Sequence, residues 1–188
     1  MTDIAELFSS AVQEFDRRVE AITDEQWSAS TPCTDWDVRT LVNHLVNENR
    51  WVPPLLEGKT IAEVGDAFDG DLLGDDPKAA WRSSAEDATR AAGTSGVEDR
   101  TVHVSFGDIR GYDYLGQVLS DHIIHSWDLA RGIGASTSLD ENLVDWVYDY
   151  LEPQAQAWRA AGAFGPAVEI PDGADKQTRL LALAGRRA

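Results

Sequence analysis

The sequence predicts an all-α fold, an up-down four-helix bundle with one long connection, an extra C-terminal helix and a short extended tail. Three observations carry this expectation. Apolar residues recur at steps of three and four along several segments of about 16 to 20 residues, the period of helices that each bury one face. Only the segment 101–106, ThrValHisValSerPhe, alternates in the manner of a strand, and one strand alone makes no sheet. One connection, 57–76, is long, with glycines at 58, 65, 70 and 74 and no sustained period.

Taken in order, Ile4, Phe8, Val12, Phe15, Val19 and Ile22 form one stripe without Pro or Gly, so the first helix covers residues from about 3 to 22. The segment 28–35 is rich in turn residues. Thr34 with Asp37 three positions later resembles a capping box opening the second helix, which runs through VRTLVNHLVNENRW and is expected to stop before Pro53 and Pro54. The 57–76 loop holds at most one short helical turn. A third helix covers 77–92, with Pro77 in its first turn and Gly93 just past its end. Leu115, Val118, Leu119, His122 and Leu129 define the stripe of a fourth helix, from about Tyr112 to Arg131, closed by Gly132 and Gly134. A fifth follows Asp140 and carries Leu143, Trp146, Val147, Tyr150, Leu151 and Trp158. The tail, from about residue 163, is extended through FGPAVEIPDG and ends in the short amphipathic helix KQTRLLALAG.

The 188 residues fit one domain, 1–188. Hydrophobic residues make up 43% of it, with seven Trp, enough for a packed core. Acidic residues number 33 against 16 basic, a net charge of −17 that repels phosphate backbones and anionic lipid, so neither nucleic acid nor membrane is an expected partner. The lone Cys33 cannot form an intrachain disulfide, the first residues carry acids at Asp3 and Glu6 rather than a targeting pattern, and no apolar run approaches a membrane span. A cytoplasmic protein is the expectation. A bundle this rich in aromatics is compatible with homodimerisation through one face.

Three of the four histidines, His44, His122 and His125, fall on the second and fourth helices. Asp121 and His125 are four apart, one turn above each other, a spacing that lets two side chains share a metal ion. At about 100° per residue both lie on one flank of the fourth helix's stripe, and His44, with Glu48 a turn further on, lies on a flank of the second. Two flanks meeting would join His44, Asp121 and His125. Two imidazoles and a carboxylate with open positions suit a divalent metal, Zn²⁺ best, with Ni²⁺, Fe²⁺, Mn²⁺ and Co²⁺ also allowed by ligand type. Spacing alone equally describes a surface ion pair or core histidines bonded to carbonyls. His122, mid-stripe, reads as a core histidine, and His103 as structural or exposed.

The segments TPC at 31–33, WDVR at 36–39, LVNHL at 41–45 and DHIIHSWDLAR at 121–131 resemble the DinB-like superfamily, specifically the metal-binding domain of mycothiol-dependent maleylpyruvate isomerase and its relatives. FGPAV at 164–168 and LLALAGR at 180–186 resemble a short subfamily of that group, so the resemblance spans nearly the whole chain. It implies a four-helix bundle with His44, Asp121 and His125 as metal ligands. The isomerase carries Glu where this chain has Asp121, one methylene shorter, so that ligand binds directly, through a water, or is replaced by His122. The isomerase also has a further C-terminal domain, and the residues after the fifth helix are too few to replace it, so its isomerisation is not transferred. The class of chemistry that the resemblance implies is a divalent metal that binds and deprotonates mycothiol or another low-molecular-weight thiol for attack on a small electrophile, as in a thiol S-transferase or isomerase. The alternative is a non-catalytic metal- or ligand-binding bundle with an accessory or stress-response role.

Several neighbours have plainer readings. Trp127 packs between helices, and Asp128 pairs with Arg131, three residues on along the same helix face. Cys33 stands before a helix N-terminus, which favours a thiolate, yet small cysteines are commonly buried and inert, and that is the simpler account. Glu48 is either a partner of the site or a solvated carboxylate, and Arg50 and Trp51 are candidate rim residues by position.

Overall fold

The first stripe buries as expected. α1 (Ile4–Glu20) is capped by Asp3, whose side chain accepts from the Ala5 N–H at 2.9 Å, and Phe8, Phe15 and Val19 lose all contact with solvent. Each such side chain contributes roughly 1.5–3 kcal/mol of transfer free energy. A computed structural model describes residues 3–162 and 164–188; residues 1, 2 and 163, the last of them where the expected tail begins, lie outside the described residues.

α2 (Val38–Leu56) starts at an Asp37 cap rather than at Thr34, because Asp37 Oδ1 takes the Thr40 N–H at 2.8 Å. It also continues through Pro53 and Pro54. Proline removes its own N–H but not its carbonyl, and Glu57 and Lys59 donate to the Pro53 and Pro54 carbonyls at 3.0 Å while Leu55 and Leu56 are buried. The long connection contains one helical turn, α3 (Ile61–Val64), capped reciprocally by Thr60 and Glu63. α4 (Pro77–Ala92) matches its expected bounds and buries Trp81, whose ring lies 4.8 Å from that of Phe15 and whose Nε1–H donates to Asp16 at 2.8 Å.

The expected strand has a partner that its own sequence conceals. β1 (Thr101–Val104) pairs antiparallel with β2 (Gly107–Arg110), with Val102 opposite Ile109, so 101–110 is a hairpin. β2 reads GDIR and has one apolar residue, too few for an alternation signal. α5 (Gly111–Ile133) follows at once. Its first residue must be glycine, since a Cβ on Gly111 would stand 2.0 Å from the Val97 carbonyl oxygen.

α1, α2, α4 and α5 pack as the four-helix bundle, α1 against α5 and α4, and α2 against the same two. The expected single fifth helix is broken. α6 (Glu141–Leu151) passes through a 3₁₀ turn at Glu152–Gln154, where Pro153 cannot donate, into the short α7 (Ala155–Ala160) that holds Trp158. α8 (Lys176–Leu183) packs back on α6 and buries Leu180 and Leu181. No helix among the described residues is long and apolar enough to cross a membrane.

Candidate metal centre

Bundle packing sets the middle of α2 against the middle of α5. His44 Nε2 lies 2.7 Å from Asp121 Oδ2, and His125 Nε2 lies 3.5 Å from Asp121 Oδ1. One ligand atom from each of His44, Asp121 and His125 falls within 4.8 Å of the others. Trp36 covers the pair of imidazoles, its ring 4.8 Å from His44 and 5.7 Å from His125. The two helix flanks identified in the sequence therefore meet.

His122 does not join them. Its ring is fully buried among Phe8, Phe15 and Trp81, and its Nδ1–H donates to the Val118 carbonyl at 2.8 Å. Burial pulls its pKa down to about 4, so it is a neutral core group and not a substitute for Asp121. His103 pairs with Asp108 across the hairpin, 2.7 Å apart. Arg50 and Trp51 lie elsewhere, Arg50 bonded to Asp87 on α4 and Trp51 against Phe68 of the long connection.

His125 is oriented by Asp128. A carboxylate only accepts, so the 2.9 Å contact from His125 Nδ1 to Asp128 Oδ2 is an N–H donation, leaving the Nε2 lone pair facing Asp121. Asp128 does not bond Arg131, whose guanidinium lies over the Trp127 ring at 5.4 Å. Fully buried, it takes Arg186 instead, Nη2 to Oδ2 at 2.9 Å. Burial by itself would raise the Asp128 pKa, but the His125 hydrogen bond and the Arg186 charge hold it below the usual range. Cys33 Sγ–H points at the same carboxylate, 3.4 Å away. Burial first, and the Asp128 charge second, push the Cys33 thiol up to about 12 despite Arg186 nearby, so the helix N-terminus does not prevail.

Two lone-pair atoms, His125 Nε2 and Asp121 Oδ1, thus face each other at 3.5 Å and need a cation between them, a proton or a metal ion. Although burial would raise the Asp121 pKa, the two imidazoles hold it well below the usual carboxylate range, so it offers anionic oxygens. The donor set fits a divalent metal. Glu48, a turn from His44, is raised to about 7 by burial and by the Asp121 charge, with His44 opposing.

These groups line a cavity of about 500 Å³. Val118, Ile124, Leu151, Trp158 and Phe164 make its apolar wall, and Trp158 stacks near Phe164 at 6.1 Å. The chain after α6 therefore contributes Trp158, Phe164 and Arg186 to the pocket. Arg186 and the roles of Asp128 were not found by sequence spacing, because Arg186 lies 58 residues from Asp128 and no local pattern links them. No residue of 57–76 lines the cavity.

Residues 8–130 match the family model described as the mycothiol maleylpyruvate isomerase N-terminal domain. Two uncharacterized proteins of Mycobacterium tuberculosis, from strains CDC 1551 / Oshkosh and ATCC 25618 / H37Rv, are each 29% identical to it over 119 residues, 63% of this chain. That alignment spans 61% of the length of these curated relatives. The crystal structure of the mycothiol-dependent maleylpyruvate isomerase aligns with a TM-score of 0.65, covering 88% of this chain and 77% of that one at 13% identity, which is a likeness of fold. With the family model covering α2, α4 and most of α1 and α5, this chain belongs to the mycothiol maleylpyruvate isomerase N-terminal domain family.

Proposed function

We propose that His44, Asp121 and His125 hold a divalent metal, Zn²⁺ being the best match to the donors, and that the protein is a thiol-dependent S-transferase or isomerase acting on a small electrophile. The observation that carries this reading is the convergence of three ligand atoms within 4.8 Å at the wall of a cavity large enough for a small molecule. The family and the mycothiol-dependent neighbour favour mycothiol as the thiol.

A divalent ion bound there would lower the pKa of a coordinated thiol and so supply a thiolate at neutral pH. The chain's own residues do the rest. Asp128 fixes the His125 ring with its Nε2 toward the site, and Trp36 packs against both imidazoles. The apolar wall from Leu151, Trp158 and Phe164 offers the electrophile a dry surface beside the reacting sulfur. Cys33 is not that sulfur, since its proton is held against the Asp128 carboxylate. Cytoplasmic residence and a single domain over 1–188 belong to the same proposal.

Elemental mass spectrometry of protein purified without a tag or chelator tests the reading beside His44→Ala and His125→Ala. Near-stoichiometric metal in the parent, lost in both variants, together with saturable mycothiol binding by the metal-loaded protein, is expected. Failure to bind metal after addition of Zn²⁺, Ni²⁺ or Mn²⁺ overturns the metal centre. Tight metal without thiol binding overturns the enzyme and leaves a metal-binding bundle.

A further inference from the structure

A second cavity, of about 600 Å³, adjoins the first and shares Cys33, Thr34 and Arg186 with it. Its lining reverses the charge of the rest of the molecule. The chain carries 33 acidic side chains and 16 basic ones, yet this groove is lined by Arg131, Arg186 and Arg187 and by no Asp or Glu. The hydroxyl-bearing Ser30, Thr31 and Thr34 complete the polar side.

The three arginines are not equivalent. Arg186 is committed to the buried Asp128, at 2.9 Å, so that pair is neutral overall. Arg131 and Arg187 form no salt bridge among the described residues, and the Arg131 guanidinium lies over the Trp127 ring at 5.4 Å. Two uncompensated guanidinium groups therefore face one polar groove. They come from distant parts of the chain, the end of α5 and the tail beyond α8. The tail is fixed in place by backbone contact, since a Cβ on Gly185 would lie 3.1 Å from the Gly165 Cα and its φ is +82°, and by the Arg186 N–H donating to the Leu181 carbonyl at 2.7 Å. The opposite wall, 30–34, is pinned by Thr31 Oγ1 donating to the Trp36 carbonyl at 2.8 Å.

Like charges converging on a pre-formed concavity repel unless an anion lies between them, and the planar forks of arginine suit oxyanions. The surplus of carboxylates elsewhere makes diffuse anion binding unfavourable, so such binding would be local to this groove. We propose that the groove formed by Arg131, Arg187 and the 30–34 segment is a binding site for the oxyanion of a small molecule, a carboxylate or a phosphate. Its position beside Cys33 and Arg186 sets that anion next to the cavity holding His44, Asp121 and His125. The site does not depend on metal at those residues.

The test is titration calorimetry of the parent protein with inorganic phosphate and, separately, acetate, at ionic strength matched with chloride. Arg131→Ala, Arg187→Ala and the double variant are measured alongside, with unfolding midpoints as a check on folding. Saturable binding of at least one anion is expected, weakened on the order of tenfold by each single substitution and abolished in the double variant. Phosphate preference identifies a phosphate ligand and acetate preference a carboxylate. Arg187 is exposed, so its variant reads the site even if Arg131→Ala disturbs packing on Trp127. Absence of saturable binding by either anion, or binding unchanged in Arg187→Ala and in the double variant, overturns the proposal, and it does so whatever the metal content proves to be.

Discussion

Removing the Asp128 carboxylate tests how the tail and the site depend on each other. Asp128 has no exposed surface and receives His125 Nδ1–H and Arg186 Nη2–H, both at 2.9 Å. Asp128→Asn keeps the volume, but the neutral amide offers one oxygen to two donors and turns an N–H₂ toward one of them. Each lost charge-assisted bond is worth about 1.5–3 kcal/mol, and stranding a buried ionic partner costs about 3–5 kcal/mol. The Arg186 side chain keeps 17% exposure and can turn toward water, so the lower end applies, about 3 kcal/mol. The assay is urea denaturation of the metal-free protein in a double-mutant cycle of Asp128→Asn with Arg186→Met. A coupling energy of about 1.5–3 kcal/mol is expected. The same Asp128→Asn protein should bind Zn²⁺ about 10–100-fold more weakly in competition with a chromophoric chelator, since His125 loses its orienting acceptor. Additive effects in the cycle would refute the tail's dependence on Asp128. Unchanged Zn²⁺ affinity would refute the orienting role.

Other expectations follow from single contacts. Gly111→Ala forces a Cβ to within 2.0 Å of the Val97 carbonyl oxygen, so the backbone turn at Val97 must move off α5, and the unfolding free energy should fall by about 2 kcal/mol or more; a loss below about 0.5 kcal/mol would contradict the packing. Cys33 should resist alkylation by iodoacetamide at pH 8 in the folded protein and react at the rate of an ordinary thiol in urea, because burial and Asp128 raise its pKa to about 12 and little thiolate forms below that pH. Labelling at equal rates in both states would contradict the thiol's placement. Zn²⁺ at 100 times its Kd should stabilise the parent against urea by about 2.7 kcal/mol and leave His44→Ala nearly unaffected; equal stabilisation of both would move the ion elsewhere. Trp81→Phe removes the donor to Asp16 while keeping most of the apolar volume, for an expected cost of about 1–3 kcal/mol in the same measurement, and no cost would mean that this bond adds nothing net.

The helical elements were legible in the sequence because helix burial is local and periodic. The stripe from Ile4 to Ile22 and the Pro77 and Gly93 boundaries of α4 are written in residues three, four or one apart. Asp121 and His125 were equally legible, since one turn of α5 sets their separation, and the helix flank of His44 pointed to their meeting. Boundaries that depend on tertiary burial were not. Leu55 and Leu56 draw α2 through two prolines to reach the core, and Pro153 breaks the fifth helix where the chain turns off the bundle. The hairpin escaped because β2 is stabilised by pairing with β1, not by an alternation of its own.

By itself, then, the sequence determined an acidic helical bundle and the helix faces of His44, Asp121 and His125, properties carried by spacing within each helix and by composition, while the resemblance supplied their candidate role. Tertiary structure alone decided the surroundings of those residues. Asp128 chose His125 and Arg186 over Arg131, the Asp128 carboxylate rather than the helix N-terminus set the state of the half-buried Cys33 thiol, and the tail brought Trp158, Phe164 and Arg186 to the cavity. The physical reason is common to all three. Desolvation and ion pairing act through space, so a carboxylate emptied of water selects the nearest geometrically suited donor, however many residues separate them along the chain.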